Sequence, residues 1–282
     1  MSQGSVHRRP VIIKIGGVTL ESHAESSALW SSVVAMHRSR LAAGKGGVVI
    51  VHGGGKAVDR MLARLGIVSE RREGIRITTA EQIEVVMAVL GGTINKGLAG
   101  TISTACGVGG GSAVGLCLSD GGTCELAKTT RFSFDPGFVG DVVGGNDGLV
   151  KSLMSGGWLP VFSSIGMDRA GRALNVNADD AAAGLAKILA AESLVLLTDV
   201  PGVKDAGGRV VPTLDGEKID AMIASGEIGG GMIPKVRAAL DVSRESGADV
   251  FIMSGDDPAN LERWARGEAL GTRIRAGGGG ER

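Results

Sequence analysis

Tyrosine is absent from this 282-residue sequence, and aromatic residues make up only 3% of it. Proteins that stack single-stranded bases on aromatic platforms need more rings than that. A dominant charge is missing too: 30 Lys+Arg stand against 30 Asp+Glu. No global field draws in nucleic acid or an anionic membrane, so neither is expected as a partner and any anion site must be local. Cysteine is scarce. Cys106, Cys117 and Cys124 are odd in number and form no C-x-x-C pair, which argues against a zinc site or disulfide framework and fits a reducing cytosol. The opening "MSQGSVHRRP" lacks a secretory apolar core, and no apolar run approaches membrane-spanning length, so the expectation is a soluble cytoplasmic protein. Neither standard nucleotide fingerprint is present: there is no GxxxxGK[ST] and no GxGxxG after a strand.

What is there is an alternation. Short β-branched runs ("VIIKI", "GVVIVHGG", "AVGLCLSD", "WLPVFSSI", "SLVLLTDV", "ADVFIMSG") are separated by helical patterns. Continuous apolar strands alternating with helices predict a mainly parallel sheet covered on both faces. Val58, Leu62 and Leu65 fall on one helical face, and Ile83, Met87, Leu90, Ile94 and Leu98 make a longer stripe. Gly91-Gly92 interrupts that stripe at about 1 kcal/mol per glycine, for close packing or a kink. Residues 119–145 carry the turn signals of β-hairpins, an excursion from the sheet and a candidate lid. The first nine residues and the tail "AGGGGER" read as loose. We expect one domain over 1–282, with an N-terminal lobe at roughly 10–180 and a C-terminal lobe at roughly 181–275.

Several stretches carry chemistry. Lys14 interrupts the buried run "VIIKIGG" just before Gly16-Gly17. A buried lysine needs an anion, although one snorkelling from a strand end does not. "VIVHGGGKAVDRML" runs from a strand through three glycines into a helix. That is either an ordinary turn or a place where backbone N–H groups and a helix N-terminus meet an anion. In open parallel sheets ligands bind beyond the carboxyl ends of strands, where Lys14, Gly53–Gly55 and the end of "PVFSSIG" all map. Arg76 precedes a helix opened by Thr79 and Gln82, spaced as a capping box; it is surface charge or a fork for a carboxylate. In "LNVNADDAAAG", Asn175, Asn177 and Asp179 alternate before a helix. Capping by Asn177 or Asp179 explains one of the three. Lys235 sits in a helical first turn, against the helix dipole, which suggests an anionic partner.

Taken together, "IIKIGG", "VHGGG", "GIRIT", "GGTINK", "PVFSSIG", "NVNAD", "LLTDVPGV" and "GGMIPKV" resemble the amino acid kinase family in its own order, over nearly the whole chain up to "GTRI". The resemblance is to the branch acting on N-acetyl-L-glutamate. It implies an α/β three-layer sandwich with an open, mainly parallel central sheet and helices on both faces. The acylamino acid and the subunit contact fall to the N-terminal lobe, ATP to the C-terminal one. The implied reaction moves the ATP γ-phosphoryl group to the side-chain carboxylate, on the arginine route. Lys14 and Lys235 would flank the phosphoryl group, Asp179 would hold both lysines, and Gly17 and Gly54 would offer N–H groups to phosphoryl oxygens. Gly54, Gly55, Arg76 and Asn175 would bind the acylamino acid. Asp199, Val200, Pro201, Gly202, Val203 and Lys204, with Glu227, Ile228 and Gly229, would shape the ATP site. No protein metal site is implied; Mg²⁺ would ride mainly on the phosphates. The carboxylate nucleophile, which ordinarily titrates near pH ~4.3, needs no general base.

By the same resemblance, the 83–102 stripe pairs subunits and 130–146 forms a hairpin over the acyl pocket. Few residues precede the glycine turn, so a homodimer without arginine feedback is expected. Two other readings stand beside this one: a kinase for a carrier-linked aminoadipate, and a non-catalytic nucleotide- or amino-acid-binding regulator on the same fold.

Overall fold

A computed structural model of the chain describes residues 8–17, 20, 27–107 and 112–277. Its central sheet takes eight strands: β1 (Val11–Ile15), β2 (Val48–His52), β3 (Ala113–Cys117), β4 (Leu159–Ser163), β5 (Ser193–Thr198), β6 (Thr213–Leu214), β7 (Asp249–Ser254) and β8 (Thr272–Ile274). Their spatial order is β6-β8-β7-β5-β1-β2-β4-β3. All neighbours are parallel except β7 and β8. The six strands read from the sequence are all present. The two additional strands, β6 and β8, are short pieces on the far side of β7.

The helices among the described residues are α1 (Ser27–Ala42), α2 (Gly55–Arg64), α3 (Ala80–Met87), α4 (Asn95–Cys106), α5 (Gly148–Ser155), α6 (Ala178–Ile188), α7 (Gly216–Ala224), α8 (Met232–Ser246) and α9 (Ala259–Ala265). Strand alternation divides the core between two layers. Val11, Ile13 and Ile15 pack with Trp30 of α1, Ile102 of α4 and Leu261 of α9. Ile12 packs on the opposite face, with Leu185 of α6 and Leu240 of α8. Lys14 is two residues beyond Ile12 and therefore points toward the α6 layer, where the sheet ends.

Some local expectations need correction. Leu65 is 57% exposed, because α2 ends at Arg64 and Leu65 is its cap. Met87 is 37% exposed, while Ile83, Leu90 and Leu98 of the same stripe are buried. Gly91-Gly92 lies in a π-helical stretch, Ala88–Ile94, joining α3 to α4. A Cβ on Gly91 would stand 3.1 Å from Cys117 Sγ, so close packing is what the glycine serves. The helical run Ala80–Cys106 is 27 residues long and apolar enough to cross a membrane by length and composition. The sequence reading missed it because its apolar residues are spaced along a helix rather than contiguous. Thr79 Oγ1 accepts from Gln82 N at 3.3 Å, but Gln82 Nε2 donates to Val68 O at 2.7 Å, so only half of a capping box forms.

The 119–145 excursion holds an antiparallel pair, Glu125–Lys128 with Gly140–Gly144. It reaches back to the rest of the fold through Phe138 N, which donates to Thr78 O at 2.7 Å. Most of the termini expected to be loose lie outside the described residues. Arg9 is anchored, its Nε and Nη2 each donating at 2.8 Å to the carbonyls of Ala190 and Ala191.

Candidate active site

The carboxyl ends of β5, β1, β2 and β4 come level in the sheet: Ile15 pairs with Leu197 and His52, and His52 pairs with Ser163. Just beyond them opens a cleft of about 220 Å³. Lys14, Gly17, Gly54, Gly55, Arg76, Asn175 and Asp179 all line it. Seven residues singled out from distant stretches of sequence thus share one small space.

Lys14 is buried and paired rather than snorkelling. Its Nζ lies 2.8 Å from Asp179 Oδ1, with the two side chains 11% and 32% exposed. The contact is ionic but off the direction a hydrogen bond needs, so the buried Oδ1 has no directed donor. Asp179 opens α6, and Asn177 caps that helix by accepting from Asp179 N at 2.8 Å and Asp180 N at 3.4 Å. A carboxylate in a first turn sits well with the helix dipole. Across the cleft, Gly54 precedes α2 and supplies no side-chain cap, so no side chain of the capping residue stands between the helix N-terminus and an anion. A Cβ on Gly54 would collide with Ile94 and approach Leu90 to 2.9 Å. Asn175 Nδ2 donates to Thr78 Oγ1 at 3.2 Å, tying the short strand Ala173–Asn175 before α6 to the segment that follows Arg76.

Arg76 is 5% exposed and far from ordinary surface charge. Its Nη1 donates to Asp59 Oδ1 and Ser69 Oγ, and its Nη2 donates to Gly55 O at 3.0 Å. Arg71 reaches the other Asp59 oxygen at 3.1 Å. Burial works to raise the Asp59 pKa, but the hydrogen bonds and charges of Arg76 and Arg71 outweigh it and hold the carboxyl below its usual range. The arginine is thereby fixed in orientation, with Nε–H and one Nη2 proton left for a ligand among the described residues.

Lys235 stands apart. It lies in the first turn of α8 and faces an adjoining cavity of about 380 Å³, whose wall also includes Asn177 and Asp179. Among the described residues it has no ion pair, and Asp179, expected from the resemblance to hold both lysines, here pairs with Lys14 alone. The stretch Asp199–Lys204 follows β5 at the same sheet edge, yet neither it nor 227–229 lines either space. Gly202, Val203 and Ile228 are buried, while Asp199, Pro201, Lys204, Glu227 and Gly229 are exposed and Val200 is half-buried. Val203 N donates to Thr272 Oγ1 at 2.8 Å, and Glu227 Oε2 accepts from Ala206 N at 3.0 Å. The 199–204 loop is thus braced against β8, and Glu227 against the turn that follows that loop. No three His, Cys, Asp or Glu side chains gather as a metal site among the described residues.

The sequence reading missed Arg131. It lines both spaces and pairs with Asp141 at 2.5 Å and Asp180 at 2.6 Å. Burial pulls against its charge, and the two carboxylates more than compensate, raising its pKa. In sequence it is one arginine in a turn-rich stretch, with no spacing to mark it.

Comparison with known proteins fits this geometry. Residues 9–254 match the Amino acid kinase family. The chain is 40% identical over 267 residues to the acetylglutamate kinase of Pectobacterium carotovorum subsp. carotovorum, covering 95% of this chain and 99% of that one. It is 38% identical to the protein of that name from Colwellia psychrerythraea, covering 94% and 96%. Among solved structures, the N-acetylglutamate synthase of Neisseria gonorrhoeae superimposes with a TM-score of 0.78 at 18% identity, over 95% of this chain and 59% of that one. Giardia lamblia carbamate kinase gives 0.64 at 17% identity, over 95% and 98%. At those identities the structures speak for the fold alone.

Proposed function

This chain belongs to the amino acid kinase family, and from that premise we propose that it moves the γ-phosphoryl group of ATP to the side-chain carboxylate of N-acetyl-L-glutamate. The observation carrying this reading is the likeness, at 40% identity and almost full length, to a relative named for that activity. One carboxylate oxygen attacks the γ-phosphorus, and the β–γ bridging oxygen leaves with its electron pair as ADP. The product is an acyl phosphate, as the arginine route requires. A carboxylate is already ionised at neutral pH, so no general base is needed. Positioning and charge stabilisation do the rest.

In this reading Lys14 and the Gly17 and Gly54 N–H groups receive the transferring phosphoryl group. Arg76, Asn175 and Gly55 hold the acylamino acid. The 199–204 and 227–229 loops receive the nucleotide, which enters as its magnesium complex. Lys235 completes the phosphoryl site by moving toward the undonated Asp179 Oδ1 when nucleotide binds. The enzyme works in the cytoplasm as a homodimer paired along 83–102, a segment whose Met87 is exposed; sedimentation showing another assembly removes that element. Hydroxamate trapping with N-acetylglutamate, glutamate and N-acetylaminoadipate tests the reaction. Acyl phosphate formed selectively from N-acetylglutamate is expected, and none from it, or more from either alternative, overturns the assignment.

A further inference from the structure

His52 ends β2 immediately before the glycine turn, and the proposed chemistry gives it no role. It is fully buried. Its Nδ1 lies 2.8 Å from Gly53 O, and its Nε2 lies 3.0 Å from Asn95 Nδ2. The same Asn95 Nδ2 donates to Val161 O at 2.9 Å. These contacts fix the protons. A backbone carbonyl only accepts, so the Asn95 group facing Val161 is the NH₂. The second proton of that NH₂ goes to His52 Nε2, which must present its lone pair. Nδ1 then carries the ring proton and donates to Gly53 O. Burial holds the ring neutral, with its pKa lowered to about 4.

The consequence concerns the next N–H. In a trans peptide the carbonyl and the following N–H point in opposite directions. A donor gripping Gly53 O from the β2 side therefore turns Gly54 N–H the other way. Gly54 lines the cleft that also holds Lys14. Asn95 can reach His52 because the π-helical stretch Ala88–Ile94 shifts the helical register just before it. Gly115 leaves the room: a Cβ there would collide with Asn95 Oδ1.

We propose that His52, held in its Nδ1–H tautomer by Asn95, is a positioning residue that locks the Gly53–Gly54 peptide so that Gly54 N–H faces the transferring phosphoryl group. The role rests on the phosphoryl-transfer reading above. Isosteres separate its parts. In His52→Asn the amide NH₂ stands where Nδ1–H was, whereas in His52→Gln the polar end stands where Nε2 was and Gly53 O loses its donor. Removing an oxyanion donor outright costs about 10²- to 10³-fold in kcat; misaiming one should cost roughly 10- to 100-fold. His52→Gln should lose that much in kcat with both KM values within about 3-fold, and His52→Asn should recover most of the loss. Equal kcat in the two variants overturns the proposal, as does a KM effect without a kcat effect.

¹⁵N-edited NMR of the wild-type imidazole tests the tautomer independently of activity and of either variant's folding. A neutral ring with Nδ1 protonated is expected at pH 7, and an Nε2–H ring or an imidazolium refutes the lock. A wild-type enzyme that forms no acyl phosphate removes the phosphoryl reading and the proposed role with it. Wild-type activity with a failed isostere or tautomer test removes only the role of His52.

Discussion

The two lysines at the sheet edge occupy opposite kinds of surroundings. Lys14 is buried and paired with Asp179, and it shares its cleft with a fixed arginine and a braced glycine turn. Lys235 lies half-buried on α8 without an ion pair among the described residues, facing a larger cavity. One half of the site is built by folding; in the proposed reading the other is completed when nucleotide binds. Preorganised groups stabilise a transition state without reorganising, whereas a mobile cation contributes only after closure. The largest predicted effect tests whether both halves still serve the same step. Lys14→Ala and Lys235→Ala should each lower kcat by about 10²- to 10³-fold with little change in the acylamino-acid KM. Steady-state kinetics showing near-normal kcat in either variant removes that lysine from the phosphoryl site.

The prebuilt half should also leave a pH signature. The folded pKa of His52 is lowered to about 4 from 6.5. For a depressed histidine, stability is fully present above the unfolded pKa and falls as pH drops below it, until the folded ring also titrates. Between pH 6.5 and 4.5 this amounts to roughly 2–3 kcal/mol, an order-of-magnitude figure. His37, lowered chiefly by burial, slopes the same way. Urea unfolding across that window should show the loss in the wild type and a clearly flatter profile in His52→Asn. Equal slopes would mean the ring is not buried neutral.

How far the sequence reveals these two halves depends on where each signal resides. The six principal strands were legible because their apolar runs are continuous, as burial on both faces demands. β6 and β8 are too short to show any period. Helical spacing gives a face but not its depth, which is why Leu65 and Met87 were misjudged. The cleft residues were found because glycine turns, a lysine in an apolar run and alternating asparagines are locally odd. The Lys14–Asp179 pairing came only through family likeness, since nothing near either residue names the other. His52 was passed over for a related reason. Its partner lies 43 residues away, behind a π-helical register shift that no periodicity forecasts.

Stability should separate the lysines where kinetics does not. Lys14→Ala leaves the buried Asp179 oxygen without its counter-ion. Breaking a fully buried pair costs about 3–5 kcal/mol, and Asp179 at 32% exposure should cost less, about 1–3 kcal/mol. Lys235→Ala breaks no such pair and should stay within about 0.5 kcal/mol of wild type. Combining Lys14→Ala with Asp179→Asn should destabilise less than the sum of the two. In kcat, Asp179→Asn should couple to Lys235→Ala as well, because closure would bring them together. Equal melting temperatures for the two lysine variants would erase the distinction between the halves.

The smallest effect is the most specific, because it asks whether the built half distinguishes between substrates. Arg76 is already gripped by Asp59, Ser69 and Gly55, so its position does not depend on ligand. Its remaining donors lie in a fixed plane, suited to both oxygens of a carboxylate; lysine keeps the charge but not the fork. Arg76→Lys should therefore raise the KM for the acylamino acid by about 10-fold, near 1.4 kcal/mol, and leave the KM for ATP within about 2-fold. The Asp59 ion pair survives the substitution in a weaker form, so the fold should hold, and a circular-dichroism melt would verify that. Parallel rises in both KM values would mean that Arg76 supports the whole cleft rather than one ligand, and the division of the site between two substrates would have to be redrawn.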